Sequence, residues 1–193
     1  MAAPHSVRTP QQYLESERVA LEKSEFIDGR LVAMSGVLRS HARIATNLIT
    51  SLSIALQGSD CDVFGSGMRV AAPARKNYFY PDLVIACDGQ YEDDAMDVLV
   101  SPQVIIEILS KSTEAYDRGD KFSCYRQMAS LEHYILVSQY AMKVEVFTRG
   151  SDDLWVFQEF VGAEAVLDLR LFDAQISLAD IYRRVEFEPE KPK

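Results

Sequence analysis

The sequence predicts an α/β fold in which helices flank a β-sheet, with a helix and a β-hairpin at the N-terminus. Three observations support this prediction: a helix-start signature at residues 9–12, a regular apolar stripe between residues 40 and 57, and short strand-like apolar runs through the middle of the chain. The chain has 193 residues, of which 48% are hydrophobic and 25% are charged, and this is the composition of a packed domain. We expect a single domain over residues 1–193, because domains of about 100–200 residues are common.

The N-terminal elements follow from capping and turn chemistry. The hydroxyl of Thr9, the proline after it and Gln12 form a capping box, which predicts a helix that runs to about Leu21. In the next segment, SEFIDGRLVAM, Asp28-Gly29 separates two alternating apolar runs. Because an Asp-Gly pair suits a two-residue turn with positive φ, this segment predicts a hairpin.

The remaining elements follow from hydrophobic periodicity. Four apolar residues spaced by four predict a helix over residues 40–57, ended by Gly58; they are Ile44, Leu48, Leu52 and Leu56. Seven apolar runs predict strands: CDVF, MRVAA, DLVIAC, QVIIEIL, HYILVS, KVEVFT and LWVFQEF. We expect a second helix over residues 116–129, a short last helix after Ser177, and a charged, frayed tail over residues 186–193.

The charge balance excludes two classes of function. With 20 Lys and Arg against 29 Asp and Glu, the net charge is −9, which excludes a uniformly basic nucleic-acid coat and a polybasic membrane binder. The longest apolar run is broken by Glu107, and the first residues lack the apolar core of a signal peptide, so we expect no membrane partner. The three cysteines, Cys61, Cys87 and Cys124, are widely separated without a Cys-x-x-Cys pair, and we expect them to be reduced in a cytoplasmic protein.

Two acidic residues interrupt apolar strands and are the first candidates for chemistry. Asp82 opens a strand in YPDLVIACD, and Glu107 lies inside the strand VIIEIL. A charge inside a buried strand costs several kcal/mol unless it is paired or bound to a metal. Two carboxylates on neighbouring strands, with a carbonyl and waters, suit Mg²⁺. The structural alternative is that Glu107 pairs with an internal arginine or lysine and that Asp82 caps a turn.

The order of motifs along the chain resembles a known family. The segments SEFIDGRLVAMSG, YPDLVIACD, VIIEILSKST, YDRGDKFSCYRQM and SLEHYILVS, with His41 at a helix start between the first two, resemble the Uma-type restriction-endonuclease family. This family is a domain of unknown function within the PD-(D/E)XK nuclease superfamily. The resemblance covers nearly the whole chain and implies a restriction-endonuclease-like mixed β-sheet flanked by helices, with a metal-dependent phosphodiesterase site.

The resemblance assigns metal ligands and a site lysine. Asp82, after Pro81, matches the acid of the PD element, Glu107 matches the second acidic ligand, and the carbonyl of Ile108 is an additional ligand. The superfamily pattern places a lysine two residues after the second acid, where this chain has a leucine. Lys121 of DRGDK matches the lysine that replaces it in the Uma-type pattern, and Lys111 is the second candidate.

Three further residues are candidates by the same resemblance. Glu25 matches an acid near the N-terminus that completes such sites; otherwise it is a charged hairpin residue. His41 matches a family position, and its structural alternative is a helix-capping histidine. Tyr125 lies four residues after Lys121, so it either orients a phosphate or water or packs in the core.

These residues together imply a nuclease. Mg²⁺, for which Mn²⁺ can substitute, would be held by Asp82 and Glu107, while Lys121 offsets charge at phosphorus or helps to deprotonate a water. DNA is the expected substrate, and a homodimer is expected by analogy because cutting two strands needs two sites. The alternative is a catalytically inactive nuclease-fold module that binds nucleic acid or protein. Fingerprints of acyl-transfer or nucleotide-motor chemistry are absent from the sequence.

The charges are distributed unevenly along the chain. Between residues 77 and 97 there are six acids and no Lys or Arg, whereas between residues 39 and 76 five bases outnumber two acids. The net charge of −9 is therefore compatible with a metal-dependent site beside a modest basic surface.

Overall fold

The architecture comes from a computed structural model that describes residues 8–72, 77–169 and 172–187. The helices are α1 (Pro10–Glu17), α2 (Arg39–Ala55), α3 (Glu114–Tyr116), α4 (Phe122–Tyr125) and α5 (Leu178–Ile181). Between α3 and α4 the chain forms a π-turn over Asp117–Lys121, and a 3-10 turn lies at Ser151–Asp153. The strands are β1 (Ser24–Ile27), β2 (Arg30–Ala33), β3 (Cys61–Gly65), β4 (Arg69–Ala72), β5 (Asn77–Phe79), β6 (Leu83–Cys87), β7 (Val98–Leu99), β8 (Val104–Leu109), β9 (His133–Ser138), β10 (Lys143–Arg149), β11 (Trp155–Val161), β12 (Val166–Leu169) and β13 (Ala174–Ser177).

The strands form two mixed sheets and a small hairpin. The larger sheet has the order β11-β10-β9-β8-β6-β3, in which β8 and β9 are parallel and the other neighbours are antiparallel. The second sheet has the order β2-β1-β5-β4-β7, with β4 and β7 parallel, and β12 pairs with β13. The predicted α/β fold, a mixed sheet flanked by helices with an N-terminal helix and hairpin, is confirmed.

Local sequence signals explain the first elements. Thr9 Oγ1 accepts a hydrogen bond from the backbone N–H of Gln12, and the Gln12 side chain accepts one from the Thr9 N–H, so the predicted capping box is formed. Asp28 and Gly29 have φ values of 48° and 82°, which is the backbone that a tight hairpin turn requires. This turn pairs β1 with β2 and fixes which residues of β1 face inward.

The core lies on both faces of the larger sheet. The α2 stripe packs on one face, against a cluster that includes Ile106 and Ile108 of β8. On the other face, Ile105 and Leu109 pack with an aromatic cluster that includes Tyr125. Strand alternation therefore places Glu107, between Ile105 and Leu109, on the aromatic face.

Two helix predictions need correction. The first helix ends at Glu17 instead of about Leu21. Val19 and Leu21 are 81% and 103% exposed, so no apolar contact extends the helix through them. The helix expected over residues 116–129 is replaced by α3, the π-turn and α4, and Asp117 and Lys121 of the π-turn are both buried.

The cysteine prediction is wrong for two of the three cysteines. Cys61 and Cys87 form a disulfide, although 26 residues separate them in sequence. They lie opposite each other in the β3–β6 register, with their Cα atoms 3.9 Å apart, and no short sequence motif signals that pairing. Cys124 is buried in the aromatic core cluster.

Some elements were not predicted from the sequence. Strands β5, β7, β12 and β13 have two to four residues each, which is too short for periodicity to be read. Residues 188–193 of the predicted tail lie outside the described residues. Within the part of the chain that the structure describes, no helix is long and apolar enough to span a membrane.

Candidate functional site

The two candidate acids converge because their strands are neighbours. β6 and β8 pair antiparallel with Leu83 opposite Ile106, so the residue before β6, Asp82, lies beside Glu107. Asp82 Oδ2 accepts a hydrogen bond of 2.7 Å from the backbone N–H of Ile108. This bond fixes the Asp82 carboxylate at the end of the β8 strand that carries Glu107.

Glu107 is almost completely enclosed, at 3% exposed. Its Oε1 atom lies 2.8 Å from Lys121 Nζ and accepts a hydrogen bond of 3.3 Å from the Tyr125 hydroxyl. The carboxylate therefore has a charged and a neutral donor inside an otherwise apolar face. Glu107 is consistent with both interpretations of its sequence position: it pairs with an internal lysine, and it also lies at the candidate site.

Lys121 is the centre of the charged cluster. Its Nζ atom lies 2.8 Å from Glu107, 3.3 Å from Glu25 Oε1 and 3.9 Å from Asp117 Oδ1. The π-turn turns this lysine inward, and its side chain is 7% exposed. One ammonium thus faces three carboxylates from three different elements.

Glu25 reaches the cluster from the hairpin. Besides contacting Lys121, its Oε1 atom accepts a hydrogen bond of 3.0 Å from the backbone N–H of Tyr80. Residue 80 lies two positions before Asp82, so this bond ties the hairpin to the segment that carries the PD element. The structure brings Glu25 together with Lys121, and the role of Glu25 at the site stays a prediction.

His41 also lies at the site. It belongs to the first turn of α2, is 8% exposed, and its Nε2 atom is 3.2 Å from Asp82 Oδ2. Asp82 is therefore held by a histidine from α2 as well as by the backbone of β8. His41 orients this carboxylate, and its role in chemistry stays a prediction.

Tyr125 packs in the aromatic core and also forms a polar contact. Its ring is fully buried, 5.0 Å from the Phe79 ring and 5.8 Å from the Tyr134 ring between centroids. Its hydroxyl nevertheless reaches Glu107. Burial and the nearby carboxylate raise the pKa of Tyr125 well above its usual value, so the hydroxyl is a hydrogen-bond donor at neutral pH.

The two candidate lysines have different positions in the structure. Lys111 lies beyond the end of β8 on the surface, where its Nζ atom is 5.4 Å from the Tyr140 ring centroid. Lys121, and not Lys111, forms the ion pair with Glu107. Lys111 lies on the wall of the cleft, at a position that suits contact with a bound molecule.

Asp117 was not predicted from the sequence. It is 3% exposed and lies four residues before Lys121. The i,i+4 spacing in DRGDK was a signal for this contact. A charged face at that spacing is usually solvated, so only the burial of the π-turn distinguishes Asp117 from Asp120, which is exposed.

A cleft of about 920 Å³ opens onto these residues. Its floor carries charged residues, whereas one wall is formed by the end of β2 and the loop after it. That wall is apolar and exposed, with Val32, Met34, Val37 and Leu38. The cleft is large enough to receive a segment of a polymeric substrate against a charged floor.

Burial and the charges within the cluster shift the pKa values of its members. Burial raises the pKa of Glu107 well above its usual range, and the charge of Lys121 offsets this only in part. Burial also raises the pKa of Asp117. Burial alone would lower the pKa of Lys121, but the carboxylates of Glu107, Glu25 and Asp117 raise it above its usual value. The carboxyl groups of Glu107 and Asp117 therefore resist ionisation, while Lys121 stays protonated.

The chain matches one family over most of its length. Residues 10–180 match the family described as "Uma2: Putative restriction endonuclease". The chain belongs to the Uma2 family. The match includes every site residue described above, from Glu25 to Tyr125.

Relatives and a solved structure agree with the Uma2 assignment. The uncharacterized proteins slr1290 and sll1609 of Synechocystis sp. are 31% and 32% identical to this chain. These matches cover 96% and 87% of this chain, and 97% and 96% of the relatives. The crystal structure of "a putative nuclease belonging to DUF820" from Anabaena variabilis has a TM-score of 0.74 at 15% identity, and the match covers 91% of this chain and 97% of that one. The fold of this chain is thus also seen in a crystal structure.

The acidic residues of this Uma2 site supply oxygen donors. Glu25, Asp82, Glu107 and Asp117 face one lysine and one histidine, which leaves negative charge unbalanced. Among the described residues, no three His, Cys, Asp or Glu side chains converge at metal-ligand spacing. The predicted set of two carboxylates and the Ile108 carbonyl, completed by waters, is typical of Mg²⁺, which keeps much of its hydration shell.

Proposed function

We propose that this Uma2 protein is an endonuclease that hydrolyses DNA phosphodiester bonds with Mg²⁺, for which Mn²⁺ can substitute. The observation that carries the proposal is the contact of Lys121 Nζ with Glu107 at 2.8 Å, beside Asp82, at the floor of an open cleft. Two carboxylates and a lysine in a nuclease-like fold are the groups that phosphodiester hydrolysis needs.

Each residue of the site has a separate proposed role, which follows from its position. Asp82 and Glu107, with the carbonyl of Ile108, would hold Mg²⁺, which polarises a phosphoryl oxygen and lowers the pKa of a bound water. Lys121 is protonated and would stabilise the negative charge that develops on the phosphoryl oxygens. The buried environment strengthens this effect, because charges interact more strongly where water is excluded.

The other residues of the cluster position the reacting groups. Glu25 and Asp117 contact the Lys121 ammonium and would hold it in place. His41 and the Ile108 N–H both bind Asp82 Oδ2, so this carboxylate keeps one orientation. Tyr125 donates a hydrogen bond to Glu107 and would keep that carboxylate oriented.

Cleavage of supercoiled plasmid DNA tests the proposal. With Mg²⁺ or Mn²⁺ the purified protein is expected to nick or linearise the plasmid, and Asp82→Ala, Glu107→Ala and Lys121→Ala should each lower the rate by about tenfold or more. Asp62→Asn removes an exposed acid of β3 and serves as the control. Equal cleavage by wild type and Glu107→Ala would identify a contaminating nuclease and refute the proposal.

A second function is supported by the pairing of the acids. Lys121 and His41 already contact oxygen atoms of Glu107 and Asp82, so these oxygens have partners without a metal. This favours a catalytically inactive module that uses the cleft for binding nucleic acid or protein. Calorimetric titration with Mn²⁺ separates the two: binding that Asp82→Ala abolishes supports the nuclease, and no binding at millimolar Mn²⁺ supports the module.

A homodimer forms the remaining part of the proposal. Cutting both strands of a duplex requires two sites, and a two-fold pair of chains supplies them. Light scattering on the purified protein measures the mass directly, and a monomer that linearises DNA would exclude this arrangement.

A further inference from the structure

A second, smaller cavity of about 380 Å³ lies beside the cleft at the start of α2. Leu38 lines both cavities, so they are adjacent. The second cavity carries three arginines, Arg39, Arg43 and Arg184, which we call the arginine patch, and one acid, Glu186. In a protein with a net charge of −9, this is a local concentration of positive charge next to the site.

The first turns of α2 serve both cavities. Each residue rotates about 100° around a helix, so residues four apart share a face and residues two apart point in nearly opposite directions. His41 points to Asp82, and Arg39 and Arg43 therefore point away from the cleft floor toward the second cavity. The helix places the site and the patch within one turn of each other.

Arg184 is brought to this face from the other end of the chain. Asn47, one turn after Arg43 and 5% exposed, donates hydrogen bonds of 2.9 Å from Nδ2 to the carbonyls of Ile181 and Arg183. These two bonds hold the segment after α5 against α2. A buried amide thus joins arginines that are about 140 positions apart in sequence.

Neighbouring acids neutralise little of the positive charge of the arginine patch. Arg39 pairs with Glu186 at 3.0 Å, but both side chains are largely exposed, and such pairs are weak. Within residues 8–72, 77–169 and 172–187, neither Arg43 nor Arg184 has an ion pair or a side-chain hydrogen bond. In addition, Leu38 at the N-cap of α2 supplies no side-chain hydrogen bond, so the first N–H groups of α2 are not capped by a side chain.

We propose that the arginine patch binds the phosphodiester backbone of DNA where the strand leaves the cleft. The inference rests on the proposed function, since it extends the path of the substrate from that site. Guanidinium groups bind phosphate oxygens in a bidentate manner, and an uncapped helix start adds N–H donors of the same polarity. Contacts of this kind position the nucleic acid and do not read its sequence.

Fluorescence polarisation with labelled duplex DNA in EDTA tests the proposal without cleavage. For Arg43→Ala/Arg184→Ala, the affinity should fall by about tenfold or more, equally for unrelated DNA sequences, and the slope of log K against log salt should become shallower by about two. Arg126→Ala is the matched control, because Arg126 is exposed and lines neither cavity. Arg43→Lys should retain much of the binding, since it keeps the charge.

The outcomes separate this inference from the proposed function. If wild type cleaves DNA and the double variant keeps its affinity and salt slope, the patch is refuted and the nuclease stands. If wild type binds DNA through the patch but does not cleave it with Mg²⁺ or Mn²⁺, the patch stands and the nuclease fails. Absence of DNA binding by the wild type refutes the patch. Thermal unfolding of each variant controls for folding.

Discussion

Among single residues, Glu107 carries most of the free-energy cost of burying charge at the site. The carboxylate is 3% exposed and shares one ammonium with Glu25 and Asp117. Burial holds its pKa well above the value in the unfolded chain. The folded state therefore retains a proton that the unfolded state has lost, and stability decreases as the pH rises through the folded pKa.

The variant Glu107→Gln should accordingly stabilise the metal-free protein while lowering its cleavage activity. The gain in melting temperature is expected to be a few degrees and to be larger at pH 8 than at pH 5, because ionisation of Glu107 stabilises the unfolded chain as the pH rises and glutamine removes that effect. Scanning calorimetry in EDTA at both pH values measures the gain. A lower melting temperature of Glu107→Gln at pH 8 would contradict a buried carboxyl that resists ionisation.

Glu145 is a buried control residue whose pKa shifts in the opposite direction. It is also buried, at 4% exposed. Burial alone would raise its pKa, but hydrogen bonds from Arg118 and Lys143 lower the pKa below the usual value. The stability that this ionised carboxylate contributes is present above its unfolded pKa and is lost as the pH falls through the folded pKa. Glu145→Gln should therefore destabilise the protein at neutral and higher pH.

Among the secondary-structure elements, the π-turn of Asp117–Lys121 determines where the site lysine lies. A regular helix is expected over residues 116–129, but the structure has a π-turn at Asp117–Lys121, in which Asp117 and Lys121 are both buried. Such turns are rare and are often found at functional sites. The turn keeps Lys121 in reach of Glu107 even though the strand position two residues after Glu107 is a leucine.

Two aspartates of this turn offer a direct comparison. Asp117→Asn should lower cleavage by about tenfold or more, because a small displacement of Lys121 from the reacting phosphate is costly. Asp120→Asn changes the same net charge at an exposed position of the turn and should leave the rate unchanged.

A plasmid-nicking time course on both variants, with thermal unfolding as a check, measures the effect. A separation of kcat from KM identifies positioning, since a displaced Lys121 lowers kcat more than it changes KM. Equal rates for the two variants would show that Asp117 does not act through Lys121.

At the scale of the whole molecule, the Cys61–Cys87 disulfide joins the edge strand β3 to β6. It lies at the end of β6 opposite Asp82, so it acts on stability and not on the site. A link across 26 residues restricts the unfolded chain, which corresponds to about 3 kcal/mol of stability in the chain-entropy account.

Reduction with dithiothreitol should therefore lower the free energy of unfolding of wild type by about 3 kcal/mol. Urea unfolding with and without the reductant measures the difference. The double variant Cys61→Ser/Cys87→Ser removes the bond and should not respond to reductant, whereas Cys124→Ser should respond as wild type does. An equal stability of oxidised and reduced wild type would contradict a stabilising disulfide.

The sequence by itself determined what depends on neighbours along the chain. The capping box at Thr9, the Asp28-Gly29 turn and the alternation in β8 were predictable, because each is set by backbone geometry within a few residues. The family resemblance also followed from the order of local motifs, and with it the candidate residues Asp82, Glu107 and Lys121.

Only the tertiary structure decided which distant groups meet. The contact of His41 with Asp82, the inward position of Asp117, the Cys61–Cys87 bond and the placement of Arg184 beside α2 all join segments through strand register or helix packing. The physical reason is that burial, and not spacing, determines whether a charge is solvated or shared. The sequence contains the same charged residues in either case, and the packing of the sheet against α2 and the π-turn makes them a site.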